Sequence, residues 1–183
     1  IHATFHKENQ YSKGVTPRSF SFPKVRGKYI ALCEGDDYWI SPNKIQEQVE
    51  AFEPGISIVF HNSLIVSERK ILSNSYYSNG KEPMGGYAPN KMARGCKIPT
   101  ASALFMSWPF QKEKHENIVN GDHLIWATLA SLGSAKYLPN TYSVYRHHPG
   151  GVWSSKSAVD KVEKILRSKK VIFDCVDKEF RTS

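Results

Sequence analysis

The stretch Gly27-Lys-Tyr-Ile-Ala-Leu-Cys-Glu-Gly-Asp-Asp-Tyr-Trp39 is an apolar run that ends on carboxylates. Residues 28–34 read as a compact strand, and Gly35-Asp36-Asp37 breaks it with acidic side chains at its carboxyl end. That end is where open α/β sheets receive ligands. Next, Ser41-Pro42 reads as an N-cap followed by proline at the first helical position. Ile45, Val49 and Phe52 share one face of that helix, and Pro54-Gly55 stops it. A second strand over residues 56–60 completes a strand, acidic turn, helix, strand series, which predicts an α/β fold with a βαβ unit.

Outward from this core the signals thin. Residues 1–27 carry Gly14, Pro17, Pro23 and Gly27 among scattered aromatics, which suits a short strand and then a long surface connection. Residues 73–91 contain Gly80, Pro83, Gly85, Gly86 and Pro89 and read as a long mobile connection, of the kind that forms lids and binding surfaces. Residues 100–107 return to strand character. Residues 122–132 read as a helix closed by Gly133, with Leu124, Ile125, Leu129 and Leu132 toward the core. Two short strands are expected over 135–138 and 141–146, around Pro139-Asn140. From Ser157 onward, Val159, Val162, Leu166, Ile172 and Val176 are spaced like the buried side of a terminal amphipathic helix.

The 183 residues, 40% hydrophobic and 23% charged, support one sizeable core and exclude disorder of the whole chain. Twenty-five Lys and Arg against 17 Asp and Glu give a net charge of +8, which attracts phosphates, nucleic acid or an anionic membrane without choosing among them. Cys33, Cys96 and Cys175 are odd in number and far apart, with no CxxC pair, which argues against a disulfide framework or a structural zinc site. Cys33 itself is expected to be a buried strand residue. No run reaches the roughly 18 apolar residues of a membrane span, and the first residues lack the core of a signal peptide. A soluble, cytoplasmic protein is expected.

Three groups of residues can carry chemistry. Glu34, Asp36 and Asp37 crowd like charges, and a divalent cation with oxygen ligands would relieve them. A solvated acidic turn is the plainer account. Tyr145-Arg-His-His-Pro-Gly-Gly-Val-Trp-Ser154 combines groups that bind metal or phosphate with glycines that allow close backbone approach. An ordinary polar loop with Trp153 against the core would look the same. Asp122, after Asn120-Gly121, serves either as a helix cap or as a general base. Lys24, Arg26 and Lys28 form a modest basic patch.

Together, Asn9-Gln-Tyr-Ser-Lys-Gly14, the stretch from Gly27 to Trp39, Pro42-Asn-Lys-Ile-Gln-Glu-Gln48, Gly121-Asp122 and the segment from Tyr145 to Ser154 resemble a family 2 glycosyltransferase domain of the GT-A fold. The resemblance is to the bacterial type used in surface polysaccharide assembly, and covers about residues 5 to 155. It implies a mixed sheet flanked by helices and transfer of a sugar, with inversion, from a nucleotide-diphosphate sugar to an acceptor hydroxyl. Glu34-Gly35-Asp36 occupies the place of the family's Asp-x-Asp motif, with glutamate standing where aspartate is commonest. The resemblance assigns Asp36, Asp37 and His148 to Mn²⁺ or Mg²⁺, and Glu34, Asp36, Asp37, Arg146 and His148 to the diphosphate end of the donor. Asp122 is the implied general base. His147, Trp39, Trp153 and Ser102 are lesser candidates.

The resemblance further implies a chain that lacks the amino-terminal part of such a domain, with 1–155 as a partial GT-A unit and 156–183 as a helix packed on or extending from it. The implied partners are a nucleotide-sugar donor and a glycan or lipid-linked saccharide acceptor, with no nucleic acid. The Lys-rich terminal helix is compatible with peripheral contact at the inner face of the cell membrane. Two other readings stand beside this one: a noncatalytic carbohydrate- or protein-binding remnant, and a metal-dependent nuclease.

Overall fold

A computed structural model describes residues 4–13, 15–68, 70–77, 81–109, 121–150 and 157–175. In chain order the elements are α1 (Pro17–Ser21), β1 (Tyr29–Ala31), β2 (Tyr38–Trp39), α2 (Lys44–Glu50), β3 (Ile56–Ser67) and β4 (Lys70–Ser73). They continue with α3 (Pro89–Arg94), β5 (Leu104–Met106), α4 (Gly121–Leu129), β6 (Ser134–Arg146) and α5 (Ala158–Cys175). The strands form one mixed sheet in the order β1-β5-β3-β6-β2, with β4 also on β3. Among the described residues β3 and β6 pair in parallel and the other ladders are antiparallel.

β3 is the spine of the sheet. Its residues from Ser57 to Ser63 are all buried: Ile58, Val59 and Phe60 are apolar, while the polar Ser57, His61, Asn62 and Ser63 each hydrogen-bond within the protein. β1 and β3 are not direct neighbours as a simple βαβ unit would have them, because β5 is inserted between them and pairs with both. β6 is one strand rather than two. Pro139 and Asn140 are accommodated where the register with β3 shifts at Asn62, and a bulge of this kind tolerates a residue that cannot donate to the ladder. Gly133, at φ +150°, lets β6 begin against the turn before β3, since a Cβ there would lie 2.4 Å from the Gly55 carbonyl oxygen.

The core gathers Ile58, Phe60, Phe105, Met92, Leu124, Ile125, Trp126 and Leu129. α4 is buried on almost every side, in keeping with a helix that is apolar nearly all round, although Leu132 beyond its end is exposed. Two helices turn differently from their apolar periodicity. In α2, Lys44 and Gln48 are fully buried while Val49 faces outward, because the Gln48 amide reaches two buried carbonyls. In α5, Ser168 and Ile172 face the body and the helix packs on α4, leaving Val159, Val162 and Leu166 exposed. Val176 lies outside the described residues. The described residues before β1 hold a short helix and 3-10 turns in place of the expected strand. Residues 100–102 are likewise a 3-10 turn leading into β5.

Residues 73–91 are tied to the sheet where they are described. Tyr87 exchanges two backbone hydrogen bonds with Ala135, at 2.8 and 2.9 Å. Gly86 passes so close that a Cβ would stand 1.8 Å from the Ala135 carbonyl oxygen. No described helix is long and apolar enough to cross a membrane.

Candidate active site

After β1 the chain turns through Glu34, Gly35, Asp36 and Asp37, and the Asp37 N–H donates to the Glu34 carbonyl at 3.1 Å. β2 then pairs with β6, Tyr38 against Val144 and Trp39 against Ser143. This short ladder carries the acidic turn to the carboxyl end of β6. There the Arg146 backbone N–H donates to Asp37 Oδ1 at 3.0 Å, and His148 Nε2 lies 3.1 Å from Asp36 Oδ2. The two motifs that the sequence separates by more than a hundred residues are thus in contact.

Asp122 stands in the first turn of α4, inside the helix that begins at Gly121. Its charge reaches the acidic turn. The carboxyl of Glu34 is pushed up to about 7, first by loss of water and then by Asp37, Asp122 and Asp36, with Arg18 opposing. Glu34 keeps accessible surface, so this shift belongs to a crowded surface turn rather than to the deep core. Asp37 is pushed up to about 6, again chiefly by lost water; the Arg146 N–H resists the rise and Asp36 adds to it. Four carboxylates therefore share one electrostatic environment.

Arg18 is the nearby cation that the sequence reading missed. Its guanidinium lies against Gly121, where a Cβ would sit 1.7 Å from Nη2, so glycine at the head of α4 makes room for it. Nothing in its local spacing singles it out, since its place depends on α1 meeting α4. Also missed was the brace beneath the turn. Lys44 Nζ donates to Gln48 Oε1 at 2.8 Å and lies 4.5 Å from the centre of the Trp39 ring. Trp39 Nε1 donates to the Ala101 carbonyl at 2.9 Å. Lost water lowers the Lys44 ammonium to about 8.

Other candidates take different places. The Arg146 backbone, rather than a side-chain contact, is what binds the acidic turn. The His147 N–H continues the ladder onto the Val66 carbonyl. Ser102 is fully buried; its hydroxyl donates to the Pro99 carbonyl at 2.7 Å and its carbonyl accepts from Gln48. Cys33 lies beyond the end of β1 and is exposed rather than buried, its thiol held up by lost water and by Asp37. Trp153 lies outside the described residues.

Among the described residues no group of three or more His, Cys, Asp and Glu side chains is arranged to hold a metal ion. The expected trio of Asp36, Asp37 and His148 is not a ready-made cage, because Asp37 Oδ1 is engaged by the Arg146 N–H. Asp36 Oδ2 and His148 Nε2 do form a pair of donors, and their 3.1 Å separation matches the edge between adjacent ligands each about 2.1 Å from a small divalent ion. The donors present fit a partial shell, which is how Mg²⁺ is commonly held when phosphates supply further ligands.

Solved structures share this architecture. S. aureus TarS 1-349 in complex with UDP-GlcNAc superposes with a TM-score of 0.57 at 16% identity, covering 88% of this chain and 47% of TarS. Its complex with UDP gives 0.54 at 13% identity, covering 88% and 45%. This chain has a GT-A-like glycosyltransferase fold.

Sequence relatives agree at low identity. The GT-A-like chain is 24% identical over 167 residues to the UDP-Glc:alpha-D-GlcNAc-diphosphoundecaprenol beta-1,3-glucosyltransferase WfaP of Escherichia coli, covering 90% of this chain and 62% of WfaP. It is 29% identical over 136 residues to the uncharacterized protein Rv1520 of Mycobacterium tuberculosis, covering 72% of this chain and 38% of that protein. The chain therefore spans less than two thirds of either relative. No family model matches it. On the GT-A-like sheet, the acidic turn meets the end of β6, and the charge at the head of α4 reaches it.

Proposed function

We propose that this chain carries the diphosphate and base-catalyst part of an inverting glycosyltransferase of the family 2 type. The supporting observation is the meeting of Glu34, Asp36, Asp37, Asp122 and His148 within a GT-A-like fold. TarS binds UDP and UDP-GlcNAc, and WfaP bears the name of a glucosyltransferase acting on a lipid-linked saccharide. Both favour a nucleotide-diphosphate sugar as donor and a saccharide hydroxyl as acceptor, in surface polysaccharide synthesis.

In this reading Asp122 accepts the proton of the acceptor hydroxyl as its oxygen forms a bond to the anomeric carbon, and the bond from that carbon to the diphosphate oxygen breaks. One displacement inverts the centre, and the nucleoside diphosphate leaves with the bonding electrons. Asp36 and His148 would hold Mn²⁺ or Mg²⁺, which when bound supplies positive charge against the departing diphosphate. Arg146 keeps Asp37 in place through its backbone and adds positive charge beside the turn. Arg18 balances Glu34 next to the general base.

Calorimetric titration of the chain with UDP, with and without Mn²⁺, tests this reading. Heat that depends on the metal and disappears in Asp36→Ala is the expected result. Asp122→Asn should keep that heat and lower transfer about 10³-fold, within the range attributed to general-base catalysis. A folded wild-type chain that takes up no UDP would remove the donor reading and leave a noncatalytic binding module as the better account.

A further inference from the structure

Two tyrosines on the carboxylate side of the sheet have no part in the chemistry above. Tyr145 is the residue before Arg146 on β6, and Tyr76 comes from the connection that follows β4. Their rings stand 5.8 Å apart at 79°, edge to face. Tyr76 is not loosely placed. The buried Asn62 accepts the Tyr76 backbone N–H on Oδ1 at 3.0 Å and the Ser75 hydroxyl at 3.2 Å, while its Nδ2 donates to the Asn74 carbonyl at 3.2 Å. One side chain of β3 thus fixes the backbone that delivers Tyr76.

The hydroxyls of neighbouring tyrosines have protein partners: Tyr77 and Tyr87 both donate to the Lys97 carbonyl, at 2.9 and 3.2 Å. Those of Tyr76 and Tyr145 make no hydrogen bond among the described residues. Lost water first, and then the charges of Glu34, Asp37 and Asp122, push both phenols further up, so they stay O–H donors within reach of those carboxyl groups. Packing alone would be met as well by phenylalanine.

We propose that Tyr76 and Tyr145 form a subsite for the acceptor saccharide, holding a neutral pyranose so that one of its hydroxyls faces Asp122. The proposal rests on the transferase reading for the word acceptor. The chemistry of the wall selects the ligand class. Two phenol donors beside carboxyl groups that accept match a ring of hydroxyls, each both donor and acceptor. Aromatic rings with a polar tip suit a ligand that is apolar on its C–H face and polar at its rim. Orientation is the catalytic benefit, since a held hydroxyl reacts as part of one complex.

Saturation-transfer NMR of the chain with methyl α-D-glucopyranoside and methyl N-acetyl-α-D-glucosaminide tests the subsite, alongside the UDP and Mn²⁺ titration on the same preparation. At least one glycoside should receive saturation, more strongly at its ring C–H protons than at its O-methyl group. Tyr76→Phe and Tyr145→Phe keep the rings and remove only the hydroxyls; each should weaken glycoside binding about tenfold, the worth of about 1.4 kcal/mol, with the UDP heat unchanged. No saturation of either glycoside by a wild-type chain that binds UDP overturns the subsite and leaves the transferase reading intact. Equal glycoside binding by wild type and both phenylalanine variants also overturns it. Tyrosine-dependent glycoside binding without UDP binding supports a saccharide site and removes the donor reading.

Discussion

Glu34 carries the most readable electrostatic signature of the site. Its carboxyl is pushed from 4.5 to about 7, so the folded chain holds this proton more tightly than the unfolded chain. Its contribution to stability is complete below about pH 4.5 and is lost as pH rises through about 7. Asp37, raised from 3.8 to about 6, acts in the same direction. His61 opposes them. It is fully buried on β3 and lowered from 6.5 to about 3, so its contribution is lost as pH falls between those values. Comparison of the wild type with Glu34→Gln separates the two trends. In scanning calorimetry the variant should melt above the wild type at pH 7, and the gap should close by pH 4.5; a constant gap would contradict the crowding of these carboxylates. The acidic turn itself was legible, because an apolar run ending on carboxylates is a local pattern. Its meeting with His148 and Asp122 was legible only through resemblance to a family, since no local pattern reports which strands adjoin.

At the scale of elements, α2 shows where apolar periodicity misleads. Ile45, Val49 and Phe52 mark a stripe, yet the helix buries Lys44 and Gln48. The reason is hydrogen-bond demand: Gln48 Nε2 serves the Val59 and Ser102 carbonyls at 2.7 and 2.8 Å, and its Oε1 receives the Lys44 ammonium. Gln48→Leu leaves those buried groups without this partner. At roughly 1–3 kcal/mol for each unsatisfied buried group, urea unfolding should report a loss of at least about 2 kcal/mol. Val49→Ala on the exposed side should cost less than about 1 kcal/mol. Counting apolar residues cannot detect such a face, because the side chains that are buried are polar and become tolerable only once their distant partners are present. α5 differs for a related reason. Ser168 and Ile172 are buried on its inner side, and the apolar Val159, Val162 and Leu166 are left outside.

For the molecule as a whole, the α/β class was legible from the alternation of strand and helix signals, but the strand order was not. The insertion of β5 between β1 and β3 pairs Ile30 with Phe105 and Ile58 with the same Phe105, distant segments whose pairing neither announces. That order leaves β1, β2 and the short β4 as outer strands of the described sheet. Beside β1 lies a groove of about 280 Å³, lined by Phe22, Pro23, Val25, Ile30, Ser107 and Trp108. An outer strand whose backbone groups lack a neighbour on one side is a template for further pairing. Sedimentation velocity should therefore show association that increases with protein concentration, while a single monomeric species throughout would mean that the edge is protected.

The hydrogen bond from the Arg146 backbone to Asp37 spans 109 positions of the chain, and the contact of His148 with Asp36 spans 112. Contacts of such long range form only after the entropy of closing the intervening loop has been overcome, so they are unfavourable early in folding. A collapsed intermediate with its helices formed would hold the acidic turn and the histidine apart. Ligand binding at this turn is thus a late reporter of folding, and in a refolding experiment it should recover no earlier than the β2–β6 ladder that brings the two ends together.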